Sequence, residues 1–295
     1  MDAERSLIAC EDPTALNAWY VVAAVCELPM GVERHTQLLD SPLTMRRDLG
    51  GEVQAWLGPS SKGMFLPCRQ KFGYLWTTLG EPARDIFDIP EYDEPDRRNL
   101  NGASMGVHVS APRAIENFLD MAHFAFVHTN YLGVEPFTQI KPYRVDVSAD
   151  GEEILATQCR AYQPRAALSA GQPFEVEYVY RVPHPYCALL YKSLATDSKR
   201  QDIIGLLIQP MSEERVVAHM LISMLDDVHS DTAIRGFQQL IFSQDKPILE
   251  NQIPKRLPLS LRSEISGRSD ASSSTYRRWL SDRRVCYGTI PDAAG

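Results

Sequence analysis

The chain has 295 residues, 44% hydrophobic and 23% charged, a balance that supports a packed, water-soluble fold and excludes disordered or collagen-like classes. Its formal charge is −8, with lysines and arginines scattered along the chain, which argues against a nucleic-acid partner. No stretch reaches the ~20 uninterrupted apolar residues that a spanning helix needs, and the opening MDAERSLIACEDP lacks a basic segment followed by an apolar run. No membrane attachment and a cytoplasmic location are therefore expected.

From Trp19 to about Leu79, short apolar runs (WYVVAAV, QLL, PLTMRR, EVQAWL, FGYLWTTL) alternate with Gly, Pro, Asp and Ser, the pattern of a small β-domain. Residues 81–98 are acidic, contain proline and show no periodicity, so they read as a loop or crossing, with the domain boundary near residue 103. This divides the chain into 1–103 and 104–295. In SAPRAIENFLDMAHFAFVH, Ser110 can cap, Pro112 suits an early helical position, and Ile115, Phe118, Leu119 and Ala122 recur at helical spacing. Strand-like runs follow at about 140–148, 153–162, 174–182, 187–194, 202–210 and 215–225, and imply a large antiparallel sheet. DTAIRGFQQLIFSQDKPILENQI predicts a long helix, bent near Pro247, packed on that sheet. The Ser-rich stretch 263–275 predicts a mobile segment, whereas the YRRWL that follows carries aromatics that are costly to leave in water and should dock on the body. The six cysteines are dispersed, with no CxxC pair, and read as reduced structural thiols.

Chemistry concentrates in ENFLDMAHFAFVH, where i+3 spacing places Asn117, Asp120 and His123 along one helical stripe surrounded by apolar residues. His128 lies five residues beyond His123, ~140° around an ideal helix, so both imidazoles reach one ion only if the helix distorts or ends; an end near Val127 is expected. Two neutral imidazoles and a carboxylate suit Fe(II) and leave positions open for O2 and substrate. Asp245 is the leading carboxylate because it lies amid apolar residues in FSQDKPILE, with Glu250 the alternative. The residues also admit plainer readings. A buried histidine commonly donates to a backbone carbonyl, Asp245 could cap the second half of the helix, and Asp120 could be a solvated or capping acid. His35, His108, His184, His219 and His229 read as structural or surface residues.

NAWYVVAAVCEL, FGYLWTTLGEP, ENFLDMAHFAFVH, SQDKPILENQ and YRRWL together resemble, in family order, the oxygenase components of Rieske non-haem iron oxygenases, especially the aromatic O- and N-demethylase branch. The resemblance implies an α+β chain: a small Rieske-like β-domain followed by a helix-grip catalytic domain with a large curved antiparallel sheet and a long helix. It implies that His123, His128 and Asp245 hold Fe(II), and that Asp120 links this site to a neighbouring subunit's iron–sulfur cluster. From their places on the two helices, Asn117 is expected to shape the site, and Gln238 and Phe242 are candidate pocket residues for a flat heteroaromatic ring; helix–sheet packing is the other reading for both and the favoured one for Phe242.

The chain departs from the family at the cluster. A Rieske [2Fe–2S] centre takes two cysteines and two histidines, as Cys-x-His and Cys-x2-His. Neither motif occurs here: between Val53 and Gly73 there is only Cys68 and no histidine. The β-domain is therefore vestigial, with no [2Fe–2S] cluster of its own. One implication is an oxygenase fed by a separate Rieske-bearing reductase that uses NADH, converting 7-methylxanthine to xanthine and formaldehyde with O2. The alternative is a non-catalytic assembly or small-molecule-binding subunit. Retention of three ligands and Asp120 favours the first, since buried ionisable groups are costly without a task. The family also implies a homotrimer or a hetero-oligomer with a related oxygenase subunit.

Overall fold

The computed structural model describes residues 7–168, 172–194 and 200–292. A short helix α1 (Pro13–Leu16), capped by Asp12, leads into β1 (Tyr20–Ala24). Then come β2 (Glu33–Leu38), β3 (Ser41–Arg47), β4 (Val53–Leu57), β5 (Met64–Phe65), β6 (Cys68–Lys71) and β7 (Tyr74–Thr77). They form two small antiparallel sheets, β1-β7-β6 and β2-β3-β4-β5. The β2–β3 hairpin turns through Leu39 and Asp40, both at positive φ, as a two-residue hairpin loop commonly requires. Neither is glycine. The strain is offset because the tip is docked: the Leu39 and Asp40 amides donate to the Pro210 and Met211 carbonyls, and Leu39 is fully buried.

The seven-stranded sheet contains β8 (Arg98–Val107), β9 (Arg144–Val147), β10 (Ile154–Gln163), β11 (Phe174–His184), β12 (Cys187–Ser193), β13 (Gln201–Ser212) and β14 (Arg215–Met224), in the order β8-β14-β13-β12-β11-β10-β9. Every pairing is antiparallel. The six strand-like runs in the sequence correspond to β9–β14. The seventh strand, β8, has no apolar alternation to reveal it, and it spans residue 103, so the large sheet begins at Arg98. Helix α4 (Asp231–Glu250) replaces the missing pattern with polar contacts along this strand. Arg235 donates to the Asn101 carbonyl, Gln239 to Gly102 and Lys246 to Gly106. At Gly102 a Cβ would lie 2.7 Å from Ile222 Cδ1, so a side chain there would collide with β14.

Helix α4 starts at the Ser230 cap and runs as one helix through Pro247. Its buried positions are Ile234, Phe237, Gln238, Phe242, Asp245 and Leu249, a stripe at helical spacing that faces the sheet and includes two polar residues. Near the C-terminus, α5 (Ala271–Asp282) buries Tyr276, Trp279 and Leu280, and Tyr276 Oη and Trp279 Nε1 donate to the Pro185 and Gly151 carbonyls. The expected docking of YRRWL is thus observed. The Ser-rich stretch is more ordered than expected: residues 271–275 already belong to α5, and Glu264 pairs with Arg113 and Arg277. Ser272 supplies the local reason, being buried with its hydroxyl on the Leu119 carbonyl.

Candidate metal centre

Helix α2 (Ala111–Leu119) begins where Ser110 Oγ accepts the Arg113 amide. It ends sooner than a continuous Asn117–Asp120–His123 stripe requires. Asp120 has extended backbone (φ −85°, ψ 122°) and accepts the Ala122 amide at 2.7 Å, so its own side chain stops the helix. One further turn, α3 (Phe124–Val127), has His123 and His128 at its two ends. The single-helix expectation is corrected to two helices with a break at Asp120, while the expected end near Val127 is observed: His128 leaves helical geometry there, and its ring turns toward His123.

The two rings converge. His123 Nε2 lies 3.1 Å from His128 Nε2, and both face Asp245 Oδ1, at 3.3 and 3.1 Å. The outer nitrogens identify the tautomers: His123 Nδ1 is 3.1 Å from Asp120 Oδ2, and His128 Nδ1 is 2.8 Å from Gln244 Oε1. Both of those oxygens are acceptors, so each Nδ1 carries the hydrogen and each Nε2 turns a lone pair inward. Two imidazole lone pairs and a carboxylate oxygen at these distances repel unless a cation sits among them. Without metal, a proton takes that part. Burial tends to lower the His123 pKa, but hydrogen bonds to Asp120 and Asp245 outweigh it and raise the ring to about 9. Burial likewise tends to raise Asp245, yet its bonds with His123 and His128 bring it down to about 2. Among the described residues, His123, His128 and Asp245 are the one group of three or more ligand-type side chains able to share an ion.

The residues singled out from sequence fall into four places. Asn117 Nδ2 donates to Asp245 Oδ1 at 3.2 Å and so braces the carboxylate. Glu250 is directed elsewhere, bonded to Lys246 and to the His108 amide. Gln238 and Phe242 line a cavity beside the triad, with otherwise largely apolar and aromatic walls such as Phe118, Tyr178 and Ile204. Asp120 lies on the opposite side of His123, its side chain 30% exposed, at the edge of a surface groove shared with Glu264 and Arg277. Two polar residues at the site were not foreseen. Gln244 gave no signal because its neighbour Asp245 already occupied the inward stripe. Lys192, 6% exposed in the cavity wall, lies near the end of the run 187–194, where a lone lysine carries no signal of burial.

Residues 107–284 match the vanillate O-demethylase oxygenase C-terminal domain. With that match, the chain belongs to the Rieske non-haem iron oxygenase family, a family of oxidoreductases. A more particular relative is the probable methylxanthine N7-demethylase NdmC of Pseudomonas sp. (strain TJI-51), 43% identical over 98% of this chain and 99% of that protein. The methylxanthine N3-demethylase NdmB of Pseudomonas putida is 28% identical over 76% of this chain and 61% of its own length. In fold, the chain is similar to the structure of Pseudomonas putida CBB5 NdmA with caffeine (TM-score 0.73, 18% identity, 95% of this chain and 92% of that one). It is equally similar to dicamba monooxygenase bound to 3,6-dichlorosalicylic acid (TM-score 0.74, 17% identity, 91% and 97%).

Proposed function

We propose that this chain is the iron-bearing catalytic subunit that oxidatively demethylates 7-methylxanthine to xanthine, with electrons delivered from a Rieske centre on a separate, NADH-dependent reductase. The observation that carries this reading is the convergence of His123 Nε2, His128 Nε2 and Asp245 Oδ1, a donor set that can share one metal ion. The full-length likeness to a probable methylxanthine N7-demethylase supports the substrate.

The donor set fits Fe(II): two neutral imidazoles and one carboxylate. His123, His128 and Asp245 would hold the ion, and when bound it supplies the O2-dependent oxidation of the N-methyl carbon. The overall change balances as N–CH3 + O2 + 2 electrons + 2 H⁺ giving N–H + HCHO + H2O. The protein's own part is positional. Asp120 and Gln244 fix the tautomers of the two histidines, and Asn117 holds Asp245. The aromatic and aliphatic cavity walls shield the reacting methyl group from water, with Gln238 and Phe242 against the ring plane. Asp120, half-open to a surface groove, is the contact through which a docked donor reaches His123.

The absence of both Cys-x-His and Cys-x2-His supports a chain without its own [2Fe–2S] cluster. A homotrimer or a mixed ring with a related oxygenase subunit, in the cytoplasm, completes the reading. No helix among the described residues is long and apolar enough to cross a membrane. Protein purified anaerobically should contain about one iron and no acid-labile sulfide, and with a Rieske reductase, NADH and O2 it should form xanthine and formaldehyde in equal amounts from 7-methylxanthine. Protein that takes up no Fe(II) on reconstitution, or that leaves 7-methylxanthine unchanged under these conditions, removes the proposal.

A further inference from the structure

Strand β12 sends alternate side chains to opposite layers. Ala188 and Leu190 join the core on the cavity side, whereas Cys187, Leu189 and Tyr191 pack toward Trp19 and Trp76 of the small sheets. Period two therefore puts Lys192 on the cavity face, and among the described residues it is the one lysine or arginine lining that cavity. Its register partner on β13 is Asp202, while Leu190 pairs with Ile204 and Ala188 with Leu206. An apolar wall thus ends in two buried charged residues, each bonded to backbone. Asp202 Oδ1 accepts the Leu225 amide at 2.9 Å, and Lys192 Nζ donates to the Ala166 carbonyl. From the facing helix, Gln238 borders both the main cavity and a small adjoining cleft that contains Lys192 and Asp202.

These positions give the cavity two chemically different ends. Gln238 and Asp245 lie seven residues apart on the buried stripe of α4, which is ~10 Å along the helix axis. A bicyclic oxopurine, measured from a ring methyl to a carbonyl oxygen on the far edge, spans most of that distance. Lysine is a costly choice for merely pinning the Ala166 loop, because desolvating an ammonium in an apolar wall is unfavourable and a methionine would fill the same volume. Burial pulls Lys192 down to about 8, with Asp202 resisting, so it keeps its proton at neutral pH.

Resting on the demethylase reading above, we infer that Lys192 is a specificity-determining residue that donates to a ring carbonyl oxygen at the end of the substrate remote from the methyl group being removed. It selects oxopurines over equally flat methylated rings without a carbonyl. Calorimetric titration of the purified full-length protein with 7-methylxanthine and with 7-methylpurine, the same ring without carbonyls, tests this independently of turnover. The wild type should bind 7-methylxanthine about ten- to a hundredfold more tightly, the range a charged hydrogen bond provides. Lys192→Met should bring the two ligands to within about threefold by weakening only the xanthine, with an unchanged unfolding midpoint. Should that variant fail to fold, Lys192→Gln is read in the same way, with a loss of at least about threefold expected for the xanthine alone. A neutral variant that keeps the wild-type ratio overturns the assignment, as does a wild type that binds both rings equally. A wild type that binds neither ring overturns the demethylase reading and this inference together.

Discussion

The segment Val53–Gly73 and the segment Asn117–His128 belong to one chain yet are held in place by different physics. The first folds as β4, β5 and β6 around side chains such as Ala55, Leu57 and Leu66, all essentially buried. Its one soft ligand, Cys68, bonds weakly to the Leu66 carbonyl, and burial pushes its thiol up to about 11, far from the thiolate a metal needs. The second segment interrupts a helix and aims two imidazole lone pairs at a buried carboxylate. A β-scaffold survives without cluster ligands because packing alone stabilises it. Two imidazole lone pairs converging on a carboxylate are not held by packing alone and need a cation, a proton or a metal ion, among them.

The contrast breaks most visibly if a ligand is removed. Asp245→Ala should abolish stoichiometric Fe(II) binding and demethylation together, measured by metal analysis and formaldehyde release; a variant with one iron per chain and normal turnover contradicts the triad. Next in size is Asp120→Asn, expected to keep near-normal iron but to turn over at least about tenfold more slowly, the lower range for losing a partner of a metal-bound histidine. Normal turnover with the reductase would take Asp120 out of the electron path.

A third effect is visible in the protein stripped of metal. His123 rises from 6.5 to about 9 on folding, so its protonated form lends stability below pH 6.5 that is lost as the pH climbs to about 9. The chelated protein should lose on the order of 1–3 kcal/mol across that window, seen as a falling midpoint in denaturant. Chelated His123→Ala and the iron-loaded wild type should both be nearly flat, the metal having replaced the proton. A flat profile for the chelated wild type would mean that the site is looser than described. The smallest change is expected in the other region: Cys68→Ser should leave iron content and turnover untouched and shift stability by less than ~1 kcal/mol.

Much of this was legible beforehand for identifiable reasons. β10 to β14 alternate or run apolar because they are half-buried or fully buried, and α4 has helical periodicity because one face meets the sheet. β8 was not legible. Its outer carbonyls are satisfied by Arg235, Gln239 and Lys246 from a helix more than a hundred residues later, so the strand itself carries little pattern. The Asp120 break was missed for a related reason: i+3 spacing describes a helix equally well whether or not a carboxylate in it turns back to cap Ala122.

The residues alone determined that the chain could present two histidines and an inward-facing acid, because polar groups set in apolar stripes must find partners. They also determined that no Cys-x-His or Cys-x2-His pair is present, a property of composition and order. Which acid completes the set, Asp245 or Glu250, depended on how α4 rotates against the sheet, and so did the positions of Gln244 behind His128 and Gln238 beside Lys192. Those are distances between elements far apart in the chain, and packing of the whole core, not local preference, fixes them.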